Sequence, residues 1–264
     1  MNIGIVGCGG RMGRMLIETV MATDGAALAG GTEQAGSPFV GQDLGLLVGS
    51  KTVGAVVMDD ARALFDASDV VIDFTVPAAT AAHAALAFDT RTAMVIGTTG
   101  LSPEQQSAVQ GGSETAAIVQ AGNMSLGVNL LVGLARQAAD LLGPDYDIEI
   151  VEMHHKHKID APSGTALMLG KAAAEGRGID HDANAVLSRE GHTGARPDQA
   201  IGYATLRGGD VVGDHTVIFA GPSERIELTH RASSREIFAR GAVRAAMWCE
   251  GRAPGLYSMR DVLG

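Results

Sequence analysis

Short apolar runs alternate with helical patterns over the first 120 residues, and this alternation restricts the fold more than any other feature of the chain. Strands are predicted at residues 2–6, 26–31, 54–58, 70–74, 93–96 and 116–119, with helices at residues 11–21, 61–65, 78–88 and 103–110. Strands joined by crossover helices form a parallel sheet that is covered by helices. We therefore expect an α/β protein with a doubly wound parallel sheet of the Rossmann type.

The pattern changes after residue 124. A long amphipathic run at residues 125–142 predicts a helix, which Gly143 and Pro144 stop. Strands are predicted at residues 146–153, 201–206, 211–220 and 225–229, helices at 166–174 and 236–249, and a polar loop region at 176–197. Strands that follow one another closely favour a mixed or antiparallel sheet. We expect a first domain of residues 1–124 and 236–264, and a second, α+β domain of residues 125–235.

Composition argues against several classes of protein. The 264 residues carry a formal net charge of −10, which disfavours a nucleic-acid surface because phosphate binding needs a basic face. No stretch reaches the ~18 uninterrupted apolar residues that a membrane span requires. Cys8 and Cys249 lie far apart and indicate neither a disulfide scaffold nor a zinc site. We expect a cytoplasmic protein without nucleic-acid or membrane partners.

A glycine-rich turn follows the first predicted strand directly and opens the first predicted helix. It reads Gly7-Cys8-Gly9-Gly10-Arg11-Met12-Gly13. Such glycines let the backbone approach a pyrophosphate at a helix N-terminus, and Glu33 is placed to accept hydrogen bonds from ribose hydroxyls. Met12 departs from the usual glycine spacing, so a purely structural turn is the alternative. Residues 73–77 and 97–100 end two further strands, where the far half of a dinucleotide would lie.

A cluster of imidazole and ammonium groups runs through the segment EMHHKHKIDAPSGT at residues 152–165. Histidine transfers protons near neutral pH, lysine adds positive charge, and the amides of a helix that starts after Pro162 can bind a carboxylate. This combination suits a small anionic substrate that must also receive protons. One alternative is a solvated, charged loop. Another is a metal site, but the histidines are close together in sequence and the neighbouring lysines would repel a cation.

These motifs resemble those of the 4-hydroxy-tetrahydrodipicolinate reductase family, formerly called dihydrodipicolinate reductases, nearly end to end. The similar segments are VGCGGRMG at 6–13, DFT at 73–75, VIGTTG at 95–100, NMSLGVN at 123–129, residues 152–165, SREGHTG at 188–194 and MRDVL at 259–263. The resemblance implies NAD(P)H-dependent reduction of a cyclic dicarboxylate, with loss of water, in the diaminopimelate route of lysine biosynthesis. It also implies a homotetramer built through the second domain, which would bind the substrate.

The family pattern assigns roles to individual residues. His154 is expected to donate and accept a proton, and Lys158 to be a second proton donor. Substrate binding is assigned to His155, Ser163, Gly164 and Thr165. Cofactor binding, which makes the first domain the dinucleotide-binding one, is assigned to Gly7, Cys8, Gly9, Gly10, Arg11, Met12, Glu33, Gln34, Gly97, Thr98, Thr99, Ala121, Gly122, Asn123 and Met124. No metal ion is expected.

One departure from the family pattern concerns the choice of cofactor. Many members carry an arginine after the ribose-binding acid, where this chain has Gln34, and some have an arginine after Phe-Thr, where it has Val76. Without these cations we expect NADH to be used at least as well as NADPH. A nucleotide-sensing protein without catalysis would share the first domain but has no need of the His/Lys cluster. His192 and His215 are expected to be structural or surface residues.

Overall fold

The computed structural model describes all 264 residues. The chain forms two compact units: unit 1 is Met1–Leu126 with Glu236–Gly264, and unit 2 is Gly127–Arg235. The first boundary lies two residues beyond the predicted one, at the start of a long helix, and the second coincides with it. Each unit has a hydrophobic core of its own residues.

Unit 1 contains a seven-stranded parallel sheet. Its strands are β1 (Asn2–Val6), β2 (Ala27–Thr32), β3 (Val57–Met58), β4 (Val70–Asp73), β5 (Ala93–Ile96), β6 (Ala117–Gln120) and β12 (Gly255–Tyr257). They lie in the order β12-β6-β5-β4-β1-β2-β3. The chain order reverses between β1 and β4, and the carboxyl ends of strands at such a switch point are where open α/β sheets bind ligands. The predicted doubly wound parallel sheet is confirmed.

Helices cover both faces of this sheet, because alternate residues of each strand point to opposite faces and both sets are apolar. Ile3 and Ile5 of β1 pack in one core, while Val6 packs in the other. The helices of unit 1 are α1 (Arg11–Met21), α2 (Leu44–Leu47), α3 (Ala61–Asp66), α4 (Pro77–Thr90), α5 (Pro103–Gly112), α9 (Glu236–Trp248) and α10 (Met259–Leu263). Helix α9 joins the core of β1 and α1, so the end of the chain packs back on its beginning.

The structure differs from the prediction at residues 54–58. Only Val57 and Met58 form a strand, because Gly54 has a φ of +82° and belongs to a turn. The carboxylate of Asp43 accepts hydrogen bonds from the amides of Gly45, Val53 and Gly54, which fixes this turn and starts the short helix α2. The contacts with Val53 and Gly54 join residues that are 10 and 11 positions from Asp43, and no local pattern predicts them.

Unit 2 contains a five-stranded mixed sheet, as predicted. Its strands are β7 (Asp147–His154), β8 (Ala185–Val186), β9 (Ile201–Arg207), β10 (Gly213–Gly221) and β11 (Glu224–Ala232), in the order β11-β10-β7-β9-β8. The helices are α6 (Leu126–Leu142), α7 (Gly164–Arg177) and α8 (His181–Asn184), with a 3₁₀ turn at Gly143–Asp145. None of the helices of the protein combines the length and apolar character needed to cross a membrane.

The helices of unit 2 pack on one face of its sheet. Ile148 and Ile150 of β7 lie in this core with Val217 and Phe219 of β10. The predicted polar loop at residues 176–197 is only partly a loop, because Asp180 caps α8 through the amide of Ala183. Later in this segment two arginines form ion pairs with Glu149, which hold it against β7.

Candidate active site

The glycine-rich turn lies between β1 and α1, at the carboxyl end of a central strand. Gly7 has a φ of +67°, a backbone conformation that residues other than glycine rarely adopt. A Cβ atom on Gly13 would lie 2.3 Å from the carbonyl oxygen of Gly7. Glycine at both positions therefore lets helix α1 start directly on the end of the strand.

The start of α1 fits a phosphate group. Gly10 is the N-cap and makes no side-chain capping bond, so the amides of Arg11, Met12 and Gly13 have no partner within the chain. Unpaired amides at the positive end of a helix bind anions. Glu33 follows β2, and its Oε1 accepts a hydrogen bond of 2.8 Å from the Gly9 amide. This places an acidic side chain beside the turn, where a ribose would follow a pyrophosphate.

All the predicted cofactor-binding residues lie in unit 1 after the carboxyl ends of parallel strands. Residues 7–12 follow β1, residues 33–34 follow β2, residues 97–99 follow β5, and residues 121–124 follow β6. Thr99 and Gly122 are exposed, and the Cγ2 of Thr99 would lie 3.9 Å from a Cβ on Gly122. The turns after the neighbouring strands β5 and β6 are therefore adjacent.

Three of these residues have side chains that cannot reach a ligand. Cys8 and Met124 are buried in the core of unit 1, and burial raises the pKa of the Cys8 thiol to about 12. The Thr98 hydroxyl is turned inward and donates a hydrogen bond of 3.2 Å to Asp73. A nucleotide could therefore contact these three residues only through their backbone atoms.

Two residues beside the glycine-rich turn were missed from the sequence. The Arg14 guanidinium donates to the carbonyls of Gly9 and Leu47, at 3.1 and 2.8 Å, and lies 5.3 Å from the centre of the Phe39 ring. A Cβ on Gly9 would lie 2.5 Å from that ring. Arg14 and Phe39 thus enclose the turn on one side. The sequence pattern assigns Arg14 only to a helix, and Phe39 lies in a loop that contains no recognised motif.

In unit 2, strand β7 carries a buried carboxylate and a buried imidazole. Glu152 and His154 are two residues apart, so both side chains point to the face that holds the apolar core. They are only 1% and 8% exposed. Nδ1 of His154 lies 2.6 Å from Oε2 of Glu152. Because an ionised carboxylate only accepts hydrogen bonds, Nδ1 carries the proton and Nε2 is the nitrogen available for chemistry.

Arg207 makes the second strong contact with Glu152. Two of its guanidinium nitrogens donate to the carboxylate at 2.8 and 2.9 Å, and the Ser163 amide donates to it at 3.1 Å. Burial raises the pKa of Glu152, but the hydrogen bonds from Arg207 and His154 outweigh this effect and hold the pKa below its usual value. Glu152 is therefore ionised at neutral pH. No local sequence pattern points to Arg207, which lies 55 residues from Glu152 in the chain.

The environment of His154 favours the neutral imidazole. Burial lowers the pKa of His154 and outweighs the opposite effect of Glu152, while the charges of Lys158 and Arg207 lower it further. Its Nε2 would lie 3.0 Å from a Cβ on Gly213, so glycine at that position keeps the nitrogen accessible. The result is a neutral histidine that is oriented by Glu152 and influenced by two cations, Lys158 and Arg207.

His215 belongs to the same cluster, although the sequence placed it outside the site. Its ring packs edge-on against that of His154, with centroids 5.0 Å apart, and its Nε2 lies 3.0 Å from the Ser163 hydroxyl. Nδ1 of His215 is buried without a partner. Burial lowers the pKa of His215 to about 4. The alternation of β10, which puts His215 on the face of Val217 and Phe219, was the signal that could have revealed it.

The other predicted catalytic and substrate residues lie around this cluster. Nζ of Lys158 is 2.8 Å from a carboxylate oxygen of Asp160, which is largely exposed. Nδ1 of His155 is buried and unpartnered. Ser163 caps α7 through the amide of Ala166, and a Cβ on Gly164 would meet nothing within 4 Å. The start of α7, with Gly164 and Thr165, therefore borders open space. No group of His, Cys, Asp or Glu side chains converges in a way that would hold a metal ion.

Known protein families match this chain over nearly its whole length. Family models described as dihydrodipicolinate reductase, N-terminus and C-terminus, match residues 1–124 and 127–263. The chain is similar to the 4-hydroxy-tetrahydrodipicolinate reductases of Afipia carboxidovorans, at 57% identity over 100% of this chain and 97% of the relative, and of Brucella abortus, at 54% identity over 100% and 99%.

Solved structures share the fold. The dipicolinate-bound dihydrodipicolinate reductase of Paenisporosarcina sp. TG-14 superposes with a TM-score of 0.77 at 24% identity, covering 98% of this chain and 97% of that one. A probable dehydrogenase from Thermotoga maritima gives a TM-score of 0.61 at 12% identity, over 100% and 92% of the two chains. Since the family models together span nearly all of the sequence, the chain belongs to the dihydrodipicolinate reductase family.

Proposed function

We propose that this protein reduces 4-hydroxy-tetrahydrodipicolinate to tetrahydrodipicolinate, in the diaminopimelate route of lysine biosynthesis, with NADH or NADPH as the reductant. The observation that carries the proposal is the oriented His154, held by Glu152 beside Lys158 and the start of α7. The substrate loses water to give a conjugated imine, which then takes up a hydride and a proton. When bound, a reduced nicotinamide supplies the hydride.

Unit 2 provides the groups that hold a dicarboxylate. Lys158 offers a positive charge, and the amides of Gly164 and Thr165 lie at the positive end of a 14-residue helix. His155 has a buried nitrogen that no group of the chain satisfies, which a polar substrate atom would satisfy. These four residues, with Ser163 as the cap that positions the helix start, form the substrate site of the proposal.

His154 and Lys158 supply the protons. The Glu152 carboxylate fixes the tautomer of His154, so that Nε2 faces the reactants and receives or returns a proton during turnover. A bound dianion would favour the imidazolium, because it offsets the cations that otherwise disfavour it. Lys158, as a second donor, lies close enough to His154 to lower its pKa.

Unit 1 provides the cofactor site. The amides of the glycine-rich turn and of the start of α1 would hold the pyrophosphate, and Glu33 would accept the ribose hydroxyls. Its negative charge disfavours a 2′-phosphate, and Gln34 brings no compensating cation. Arg14 already donates to two carbonyls, which leaves the exposed Arg11 as the nearest free cation of the turn. We infer that NADH is used at least as well as NADPH.

Self-association through unit 2 is part of the proposal. The helices of unit 2 cover the sheet face of Ile148 and Ile150, whereas the opposite face carries Val151, Leu206 and Ile218 without a helix over it. Leu206 is 50% exposed. An apolar sheet face of this kind favours burial against another copy, and we propose a homotetramer. A cytoplasmic location remains an expectation from the sequence.

The reaction can be tested directly. Purified protein is mixed with NADH and with 4-hydroxy-tetrahydrodipicolinate made in situ by the preceding synthase, and the loss of NADH absorbance is followed. We expect NADH consumption that depends on the synthase product and yields tetrahydrodipicolinate by mass spectrometry. Binding of NADH without any consumption would instead favour a nucleotide-sensing protein.

A further inference from the structure

The most deeply buried carboxylate of unit 1 takes no part in the reaction proposed above. Asp73 is the last residue of β4, next to β1 at the switch point of the sheet, and it is 0% exposed. Burial raises the pKa of Asp73, but hydrogen bonds from His83 and Thr75 outweigh this effect and keep the pKa below its usual value. A charged group is thus retained in a place where burial alone would disfavour it.

Four hydrogen bonds converge on this carboxylate from three segments of the chain. Oδ1 accepts from the amide and hydroxyl of Thr75, at 2.8 and 2.6 Å, and from the hydroxyl of Thr98 at 3.2 Å. Oδ2 lies 2.8 Å from Nδ1 of His83 on α4. The backbone carbonyl of Asp73 also accepts from the Gly97 amide at 2.9 Å. Asp73 therefore joins the turn after β4, the turn after β5 and helix α4.

The two turns held by Asp73 lie where the dinucleotide is proposed to bind. Cγ2 of Thr75 would lie 2.9 Å from a Cβ on Gly7, so the turn after β4 touches the glycine-rich turn. Gly97 and Thr98 belong to the predicted cofactor residues, and a Cβ on Gly97 would lie 2.2 Å from the Phe74 ring. A small change in either turn would alter the surface that faces the nucleotide.

We propose that Asp73 and His83 are positioning residues for the cofactor: Asp73 holds the turns of Thr75 and of Gly97–Thr98 in the shape that receives the dinucleotide, and His83 orients Asp73. This inference rests on the proposed function, because it takes unit 1 as the cofactor site. Neither side chain touches the nucleotide. Both act through the backbone of the turns.

The test compares NADH binding by matched variants of the full-length protein. Asp73→Asn keeps the shape of the side chain but places an NH₂ group among hydrogen-bond donors. His83→Leu removes the donor, whereas His83→Asn retains an N–H near the position of Nδ1. The control is Asp69→Asn, at the exposed, amino-terminal side of the same strand, where Asp69 accepts only from the Asn2 amide. The Kd of NADH is measured by the fluorescence of bound NADH, without substrate.

We expect Asp73→Asn and His83→Leu to raise the Kd and the KM of NADH roughly ten- to a hundred-fold, the usual effect of losing a charged or buried hydrogen bond. The KM of the dicarboxylate and kcat should change much less. His83→Asn should restore most of the affinity, and Asp69→Asn should bind like the wild type. If Asp73→Asn fails to fold, which circular dichroism would show, the two His83 variants decide the question.

The outcomes separate this inference from the proposed function. Wild-type NADH affinity in folded Asp73→Asn or in His83→Leu overturns the positioning role alone. A loss of thermal stability without a change in Kd also overturns it, because a purely structural role would give that result. Wild-type protein that binds NADH but never oxidises it with the substrate overturns the reaction and leaves the comparison of Kd values valid. Wild-type protein that binds neither NADH nor NADPH overturns both the positioning role and the proposed function.

Discussion

At the scale of single residues, His154 shows how neighbours decide the protonation state of a group. The same burial that fixes its ring against Glu152 also lowers its pKa, so the unliganded protein holds a neutral imidazole. In the proposed mechanism, the proton that His154 transfers must therefore arrive with, or after, the anionic substrate. The proposal gives Lys158 a share in this task, because it lies near His154 and pairs only with the largely exposed Asp160.

Substitution of the two proposed proton donors tests this view. His154→Gln and Lys158→Ala should each lower kcat by roughly a hundred-fold or more, the range for a positioned acid, without loss of the fold. His157→Gln is the control, since His157 is exposed and has no assigned role. Steady-state kinetics and circular dichroism are the measurements. Near wild-type turnover in either variant would remove that residue from the mechanism.

Cofactor choice should respond to position 34. A charge-assisted hydrogen bond contributes on the order of 1.5–3 kcal/mol, so Gln34→Arg should improve kcat/KM for NADPH relative to NADH by about ten- to a hundred-fold. The ratio of kcat/KM values for the two cofactors, in wild type and variant, is the readout. A strong preference of the wild type for NADPH would show that Arg11 or another cation outweighs the absent arginine.

His215 should make the stability of the protein depend on pH. Its pKa of about 4 in the folded protein is below the value of about 6.5 expected when unfolded, so only the unfolded chain takes up a proton between these values. The contribution of His215 to the free energy of unfolding should be complete above about pH 6.5 and fall by about 3 kcal/mol as the pH drops towards 4. His215→Asn should show a shallower fall over this window in urea denaturation. If the free energies of unfolding of the two proteins changed with pH in parallel, the pKa of His215 would be closer to that of a solvated histidine.

At the scale of elements, the strands of unit 1 were predictable where burial is continuous along the chain. Val70–Asp73 and Ala93–Ile96 are apolar runs covered on both faces, and the pattern marks them within a residue. The short strand Val57–Met58 and the helix Leu44–Leu47 were mispredicted or missed because Asp43 organises them through distant amides. In the candidate site, the segment 152–165 was found from composition, whereas Arg207 and His215 reach it only through strand pairing.

Gly→Ala substitutions at two helix positions should have opposite effects on stability, because one position is open and the other is tightly packed. Gly133 lies within α6 with nothing within 4 Å of a built Cβ, so Gly133→Ala should stabilise the protein by about 0.5–1 kcal/mol. Gly176 lies within α7, where a Cβ would be 2.1 Å from the Arg136 carbonyl oxygen, so Gly176→Ala should destabilise it by about 1–3 kcal/mol. Free energies of unfolding from urea titrations decide this. If both substitutions changed the free energy of unfolding equally and in the same direction, the close packing around Gly176 would be contradicted.

At the scale of the whole molecule, the proposed self-association rests on the uncovered face of the sheet of unit 2. Light scattering at micromolar concentration should give the mass of four 27.1-kDa chains. Leu206→Lys, on the uncovered sheet face, should lower that mass, because a buried charge without a partner opposes association. Leu141→Lys, at a 75% exposed position of α6, is the matched control and should not. A wild-type monomer under these conditions would contradict the proposed tetramer.

The return of the chain to unit 1 bears on how the protein is made. The core beneath β1 and α1 includes Ala242 of α9 and Val262 of α10, which a ribosome adds only after all of unit 2 has been translated. A nascent chain that ends before Glu236 thus contains every residue of unit 2. It lacks helices α9 and α10, which cover part of one face of the sheet of unit 1. During synthesis, the residues of the unit 2 core are therefore complete before those of the unit 1 core, and we expect unit 2 to be able to fold first.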